Sequence, residues 1–173
     1  MNEENCLPSE PQRLFLVFHL SSQLAALPLG AVESIAPMAH LARPPGMPSA
    51  LEGILNLAGA AVPVWRLERL LQLPEQRPGL YSALIIMNGI ASCRSALLVD
   101  RVSQVLSLPE SALLPIGAEA SFNACAEAEI SHNGKIIHVL SPNRVLLEQE
   151  REAMAGFRAM AEQRLQDWEL TTQ

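Results

Sequence analysis

Apolar residues fall in short runs along the chain, separated by turn residues. Leu14 to Leu20 reads LFLVFHL, a β-rich run that predicts a buried strand. Ser21-Ser22-Gln23 predicts a turn, and 24–29 predicts a second short strand ended near Pro28. Residues 37–50 carry Pro37, Pro44, Pro45, Gly46 and Pro48, so they predict a surface connection rather than a helix interior. Leu51 to Leu57 and Ala61 to Trp65 predict two strands joined by a tight turn at Asn56-Leu57-Ala58-Gly59. Pro63 lacks an N–H, which predicts an edge or bulge position for the second of these strands. Leu67, Leu70 and Leu71 predict one helical turn, stopped by Pro74.

The second half repeats the rhythm. Ser82 to Met87 predicts a strand with a turn at Asn88-Gly89. Strands are predicted at Ser95–Val99, Arg101–Leu108 and Ala124–Ile130. His132-Asn133-Gly134-Lys135 predicts a hairpin turn into Ile136–Leu140. Short strands at this spacing predict antiparallel barrels. Ser141-Pro142 reads as a helix cap followed by proline at the first helical position, so a helix is predicted from about 142 to 168.

Composition narrows the function. Apolar residues make up 49% and charged residues 17% of the 173, which is not the composition of a disordered chain. The net charge is −6, but residues 11–147 hold nine acids and nine bases, and Lys135 is the one lysine. A neutral body lacks the clustered cations that a nucleic-acid or anionic membrane surface requires. Aromatics are scarce at 4%, which disfavours stacking of single-stranded bases. No leader-like segment and no membrane-length apolar run is present, so a cytoplasmic location is expected.

Candidate chemistry is thin. Cys6, Cys93 and Cys125 are widely spaced, with no CxxC and no nearby His, so no metal site is expected. His19 and His138 fall in predicted strands, His40 among prolines and His132 in a turn. Ser95, His138 and Asp100 form a triad only on paper, because no nucleophile elbow surrounds Ser95. Asp100 reads as a turn residue pairing locally. A small hydrolase using His138 or Cys93 is the alternative from another class. No nucleotide-binding loop occurs, and no cofactor is expected.

Three stretches together resemble the CheW-like domain of bacterial chemotaxis adaptors. Leu14 to Ile35, ending Ala31-Val32-Glu33-Ser34-Ile35, resembles the family's LVF…PL…VxEI opening. Glu52 to Leu67, EGILNLAGAAVPVWRL, is similar to its GxxNLRGxxxPVxDL core. Ala96 to Val105, ALLVDRVSQV, is similar to GLLVDxVxxV. Order and spacing agree over residues 13–147. The resemblance implies an all-β fold of two intertwined five-stranded SH3-like barrels sharing a core, to which the Ser141-Pro142 reading adds a long C-terminal helix. With Pro8, Pro11 and no periodicity before Leu14, the chain divides into a disordered tail (1–13), a CheW-like domain (14–147) and a helical extension (148–173).

The resemblance also implies a non-enzymatic adaptor. Its expected partners are the regulatory domain of a CheA-type histidine kinase, the cytoplasmic tip of a chemoreceptor and other CheW-like proteins. It would join membrane-bound receptor arrays without inserting in the membrane. A chemotaxis or surface-motility pathway would fit, as would a structural array component that does not couple a kinase. The family pattern places the partner surface at Val32, Ser34, Ile35, Asn56, Ala58, Gly59, Trp65 and Arg66. Four residues depart from the pattern: Ser34 for glutamate, Ala58 for arginine, Arg66 for aspartate, and Ser141 for the aspartate before the last helix. Trp65 is either a core anchor or an exposed hot spot, and Gly53 and Gly59 are expected to meet backbone requirements.

Overall fold

The structure is a computed structural model that describes residues 10–90, 93–117, 122, 124–146, 150–153, 155–157, 159 and 160. The described residues form eleven strands: β1 (Gln12–Leu20), β2 (Gln23–Pro28), β3 (Val32–Pro37), β4 (Leu51–Leu57), β5 (Ala60–Arg66), β6 (Ala83–Ile90), β7 (Cys93–Val99), β8 (Arg101–Pro109), β9 (Leu113–Pro115), β10 (Ala126–His132) and β11 (Lys135–Leu140). One helical turn, α1 (Leu67–Leu70), follows β5. The strands form a six-stranded sheet, β8-β1-β2-β11-β10-β9, and a five-stranded sheet, β3-β6-β7-β5-β4.

Both sheets curl. Phe15, Val17, Ala26, Ala128, Ile130, Ile137 and Val139 form one buried cluster, joined by Leu24, Leu106, Leu108 and Leu113. These residues come from all six strands of the first sheet. A flat six-stranded sheet is roughly 24 Å across, too wide for its edge strands to share one cluster. The second sheet does the same around Leu41, Leu55, Val62, Val64, Leu84, Ile86, Ala96 and Leu98, with Ala36 and Leu57 against them. A third and larger cluster lies between the sheets. Leu16, Phe18, Leu20 and Leu27 of the first sheet meet Leu51, Trp65, Ile85, Met87 and Leu97 of the second there, with Leu67, Leu70 and Leu71 from the α1 segment. Strands such as β1 are therefore apolar on both faces, which is why their runs do not alternate.

Several expectations change. The strand count is six and five, because the three-residue β9 joins the first sheet. The sheets are not wholly antiparallel: β2 pairs parallel with β11, and β5 with β7. Residues 10–13 are not a tail. Gln12 and Arg13 pair with β8, and the Glu10 carboxylate accepts from the Ser111 amide at 3.0 Å and its hydroxyl at 2.9 Å. Asn88 and Gly89 do not make the turn. They lie inside β6, at a register shift between Met87 and Ile90. Pro63 is on an interior strand. Its missing N–H is harmless because β5 meets β7 only from Val64 onward.

The long C-terminal helix is not borne out. Residues 142–146 form turns and bends, and the described helical residues begin at 150. The Ser141 amide is held by the Cys125 carbonyl at 2.9 Å, and the Arg144 and Val145 amides turn back to Ser141. Val145 and Leu146 then enter the shared core, which pulls the chain off a helical path. The last part of the predicted helix lies outside the described residues.

Candidate interaction surface

The register of the five-stranded sheet separates the eight expected surface residues into two groups. Val32 and Ser34 lie at the start of β3. Asn56, Ala58 and Gly59 lie at the end of β4 and in the turn after it. Because β4 runs opposite to β3 in the sheet order, these residues sit at the same end of the sheet. Trp65 and Arg66 sit toward the other end, and Ile35 lies level with Trp65 on the same rung.

The β4–β5 turn is built locally. Leu57 pairs with Ala60, leaving Ala58 and Gly59 as a two-residue loop. Both have positive φ, 51° and 88°, as the hairpin turn that matches strand twist requires. The Asn56 side-chain oxygen accepts from the Gly59 amide at 2.9 Å and fixes the loop. Asn56, Ala58 and Gly59 are all exposed. The turn thus presents a methyl group where the family pattern has arginine.

On β3, a register shift between Val32 and Ser34 sets Glu33 aside from the ladder. The Glu33 carboxylate takes the Arg94 guanidinium in a fork, with N···O distances of 2.6 and 2.9 Å. The acid next to Ser34 is therefore already paired. Ser34 and Ile35 are exposed.

Trp65 and Arg66 are corrections to the expected surface. Trp65 is 0% exposed and belongs to the core between the sheets, so it is an anchor and not a hot spot. Arg66 is buried among carboxylates. Its Nη1 lies 3.2 Å from Glu52 and its Nε 3.1 Å from Glu68, both buried, and 3.4 Å from Glu75. It also donates to the Gln76 carbonyl. Arg43 pairs with Glu52, and Arg69 reaches Glu52 at 3.4 Å and Glu75 at 2.9 Å. Three acids meet three arginines, so the cluster is neutral. Burial works to lower the Arg66 pKa, but hydrogen bonds and charges from Glu68 and Glu52 outweigh it and hold it above its usual value. Burial pushes the Glu68 carboxyl up, against the Gln76 amide and Arg66. The acids could have been found in the sequence: Glu52 is the single charge within the apolar run Leu51–Leu57.

The enzyme alternative gains no geometry. His138 Nδ1 lies 3.2 Å from the Glu129 carboxylate, and its ring meets Phe122 edge-on at 4.6 Å. Ser95 is buried in the five-stranded sheet, while His138 lies in the six-stranded one. Asp100 does not pair locally. Its carboxylate accepts from the Ser21 amide at 2.6 Å, where the chain crosses from β7 to β8. Burial raises the Cys125 thiol pKa, which keeps it a thiol. Cys6 and the Cys93 side chain lie outside the description. Among the described residues no His, Cys, Asp and Glu cluster could hold a metal, and no helix is long and apolar enough to cross a membrane.

The comparisons with known proteins agree with this architecture. A family model described as the CheW-like domain matches residues 14–150. The chain is 25% identical over 133 residues to "Chemotaxis protein CheW" of Bacillus subtilis (strain 168), covering 76% of this chain and 85% of that one. The crystal structure of scaffolding protein TtCheW from Thermoanaerobacter tengcongensis superposes with a TM-score of 0.73 at 22% identity, over 87% of this chain and 96% of that one. Two curled sheets around a shared core, a fixed two-residue turn after Asn56 and a family match across most of its length show that this chain belongs to the CheW-like domain family.

Proposed function

We propose that this chain is a cytoplasmic, non-enzymatic adaptor of a chemosensory pathway that links a chemoreceptor tip to the regulatory domain of a CheA-type histidine kinase by binding alone. The family match over residues 14–150 carries this reading. The partner surface is the sheet end formed by Asn56, Ala58, Gly59 and the start of β3 at Val32 and Ser34, continued along the β3 edge to Ile35; all but the half-buried Val32 are exposed on a fixed backbone. Rigid presentation limits the entropy lost on binding. Trp65 and Arg66 act as buried scaffold toward the other end of the sheet.

A second reading is an array component that does not couple the kinase. It is favoured by Ser34 and the methyl of Ala58, which leave the family's two charged positions without charge, and by the pairing of the neighbouring Glu33 with Arg94. Titration of the purified chain against the kinase regulatory domain and a receptor tip separates the two. Binding to both, weakened about tenfold by a bulky change at Ile35, supports coupling. Binding to the receptor tip alone, with kinase binding appearing in Ala58→Arg, supports the second reading. Binding to neither removes both.

A further inference from the structure

The segment between α1 and β6 ends in a turn whose side chains do nothing for the fold. The Ser82 amide donates to the Gly79 carbonyl at 3.1 Å, and the Gly79 amide donates to the Ser82 hydroxyl at 2.8 Å. Leu80 and Tyr81 are the two central residues of this closed turn. Gly, Pro, Asn, Asp and Ser dominate such positions because their backbone or side chains favour the turn, and Leu and Tyr bring neither advantage. Nor do they pack: Leu80 is 91% exposed and Tyr81 72%, and neither joins a buried cluster. The backbone on both sides is nevertheless held. The Gln76 amide donates to both Glu68 carboxylate oxygens at 3.1 Å, its carbonyl accepts from Arg66, and Glu75 lies 2.9 Å from Arg69. On the other side Ser82 is buried, and its carbonyl accepts from the Met38 amide at 3.1 Å. Between these anchors Arg77 is exposed and makes no ion pair among the described residues, whereas Arg13, Arg43, Arg66, Arg69 and Arg94 all meet carboxylates.

We infer that Arg77–Tyr81 is a second docking element, which seats Leu80 and Tyr81 in an apolar pocket of a partner protein whose rim offers a carboxylate to Arg77. The inference rests on the adaptor reading and extends it. A chain that links two proteins by binding alone needs two faces that do not overlap. The turn leads straight into β6 at Ala83, which pairs with Pro37 at the end of β3 and with Val99 at the end of β7. It therefore lies at the end of the five-stranded sheet opposite Val32, Ser34 and the Ala58-Gly59 loop, and both faces can be occupied at once. Tyr and Arg are enriched among the residues that dominate binding energy. The anchors at Gln76 and Ser82 fix the turn beforehand, so little backbone entropy is lost on docking. Arg77 sets the partner's charge. The chain leaves this guanidinium without a carboxylate, and a charge-assisted hydrogen bond to one is what a partner can add. A lipid surface fits poorly, because one cation in a chain of net charge −6 does not hold anionic headgroups.

Calorimetric titration of the full chain against the purified kinase regulatory domain, and separately against the purified receptor tip, tests it. Leu80→Ser and Tyr81→Ser are each expected to weaken one and the same partner at least about tenfold and to leave the other unchanged. Arg77→Glu should weaken that same partner and flatten the dependence of its affinity on salt. The melting temperature should hold in all three variants because the side chains are exposed, and a circular dichroism melt checks this. If the chain binds both proteins and the three variants change neither affinity, the inference falls and the adaptor reading stands. Equal weakening of both partners also overturns it, because the two faces would then not be separate. A chain that binds neither protein removes the inference and the reading together. Self-association, or binding to phosphatidylserine vesicles, that Tyr81→Ser abolishes would overturn it as well, by giving the turn a different occupant.

Discussion

Ile35 and Trp65 lie on one rung of the five-stranded sheet, with Ile85 and Leu97 between them and Leu51 beyond. Their environments are opposite: Ile35 is 46% exposed and Trp65 is 0%. Trp65, Ile85, Leu97 and Leu51 belong to the core between the sheets, whereas Ile35 stands on the β3 edge outside it. The Trp65 indole N–H is buried and has no hydrogen-bond partner among the described residues. An unmet buried donor costs about 1–3 kcal/mol, and Phe removes it. Trp65→Phe should therefore cost less than ~1.5 kcal/mol, whereas Trp65→Ala should cost ~3–5 kcal/mol. Ile35→Ser should leave stability within about 0.5 kcal/mol. Urea denaturation of the three variants measures this. A large loss in Trp65→Phe would mean that the indole edge has a partner.

Breaking the buried ion cluster should be expensive. Removing one partner of a buried pair leaves uncompensated charge and costs about 3–5 kcal/mol. Arg66→Met leaves Glu68 without its guanidinium and Glu52 with only Arg43 and Arg69. We expect a loss of ~3 kcal/mol or more, and a still larger loss for Arg66→Asp, which restores the family's residue among three carboxylates. Arg66→Met with Glu68→Leu should recover part of the loss. Denaturant midpoints decide it, and equal stability of Arg66→Asp and wild type would disprove the cluster.

Much of the fold was legible because its signals are local. The Asn133-Gly134 hairpin has positive φ at both residues, 51° and 71°, and the Ala58-Gly59 turn lies where it was expected. What stayed hidden depends on contacts far apart in sequence. Asn88-Gly89 has the composition of a turn, yet the pairing of β6 with β7 carries the strand through it. Ser141-Pro142 has the composition of a helix start, yet the carbonyl of Cys125 holds the Ser141 amide. The site was half legible for the same reason. Motif spacing marks Asn56 to Gly59, a turn that builds itself. It also marks Trp65 and Arg66, whose burial depends on β7 and on Glu52 and Glu68.

Gly53 is required by a close approach. A Cβ there would lie 2.6 Å from the Leu41 Cβ and 2.9 Å from the Ala42 carbonyl oxygen. That segment is itself bonded to Ile54, so it cannot retreat without losing two backbone hydrogen bonds. Gly53→Ala should cost about 1–3 kcal/mol, in the range of overpacked cores. A thermal melt reads the loss. A neutral result would show that the segment from Leu41 moves freely.

Ala58 has the opposite character. Its φ of 51° disfavours any residue with a Cβ, and nothing in the turn relieves this. Ala58→Gly and Ala58→Asn should each stabilise the chain, by about 0.5–1 kcal/mol, because both residues accept this conformation more readily. The pair also controls the partner titration. A binding change seen with Ala58→Arg but not with Ala58→Gly belongs to the side chain and not to the backbone.

His19 gives stability a pH dependence. Its ring lies at the end of β1, with Nε2 3.1 Å from the Arg101 guanidinium. Arginine only donates, so this nitrogen is the acceptor and the ring is neutral. Burial lowers its pKa first, then the charges of Arg101 and Lys135, against Asp100. The folded chain therefore binds this proton less readily than the unfolded chain, whose histidine has a pKa of about 6.5. Below that value the unfolded state takes up more protons, so stability falls as the pH drops toward the folded pKa. The stability that His19 confers is fully present above pH ~6.5 and is lost on the acid side. Glu68 acts in the other direction, since its raised pKa makes stability fall as the pH rises above the usual glutamate range. Comparing wild type with His19→Gln, which keeps an acceptor for Arg101 and cannot titrate, separates the two. Denaturant midpoints between pH 5 and pH 7.5 should fall more steeply toward acid in wild type than in the variant, with the curves parallel above ~6.5. Parallel curves over the whole range would show that His19 takes its proton equally well in both states.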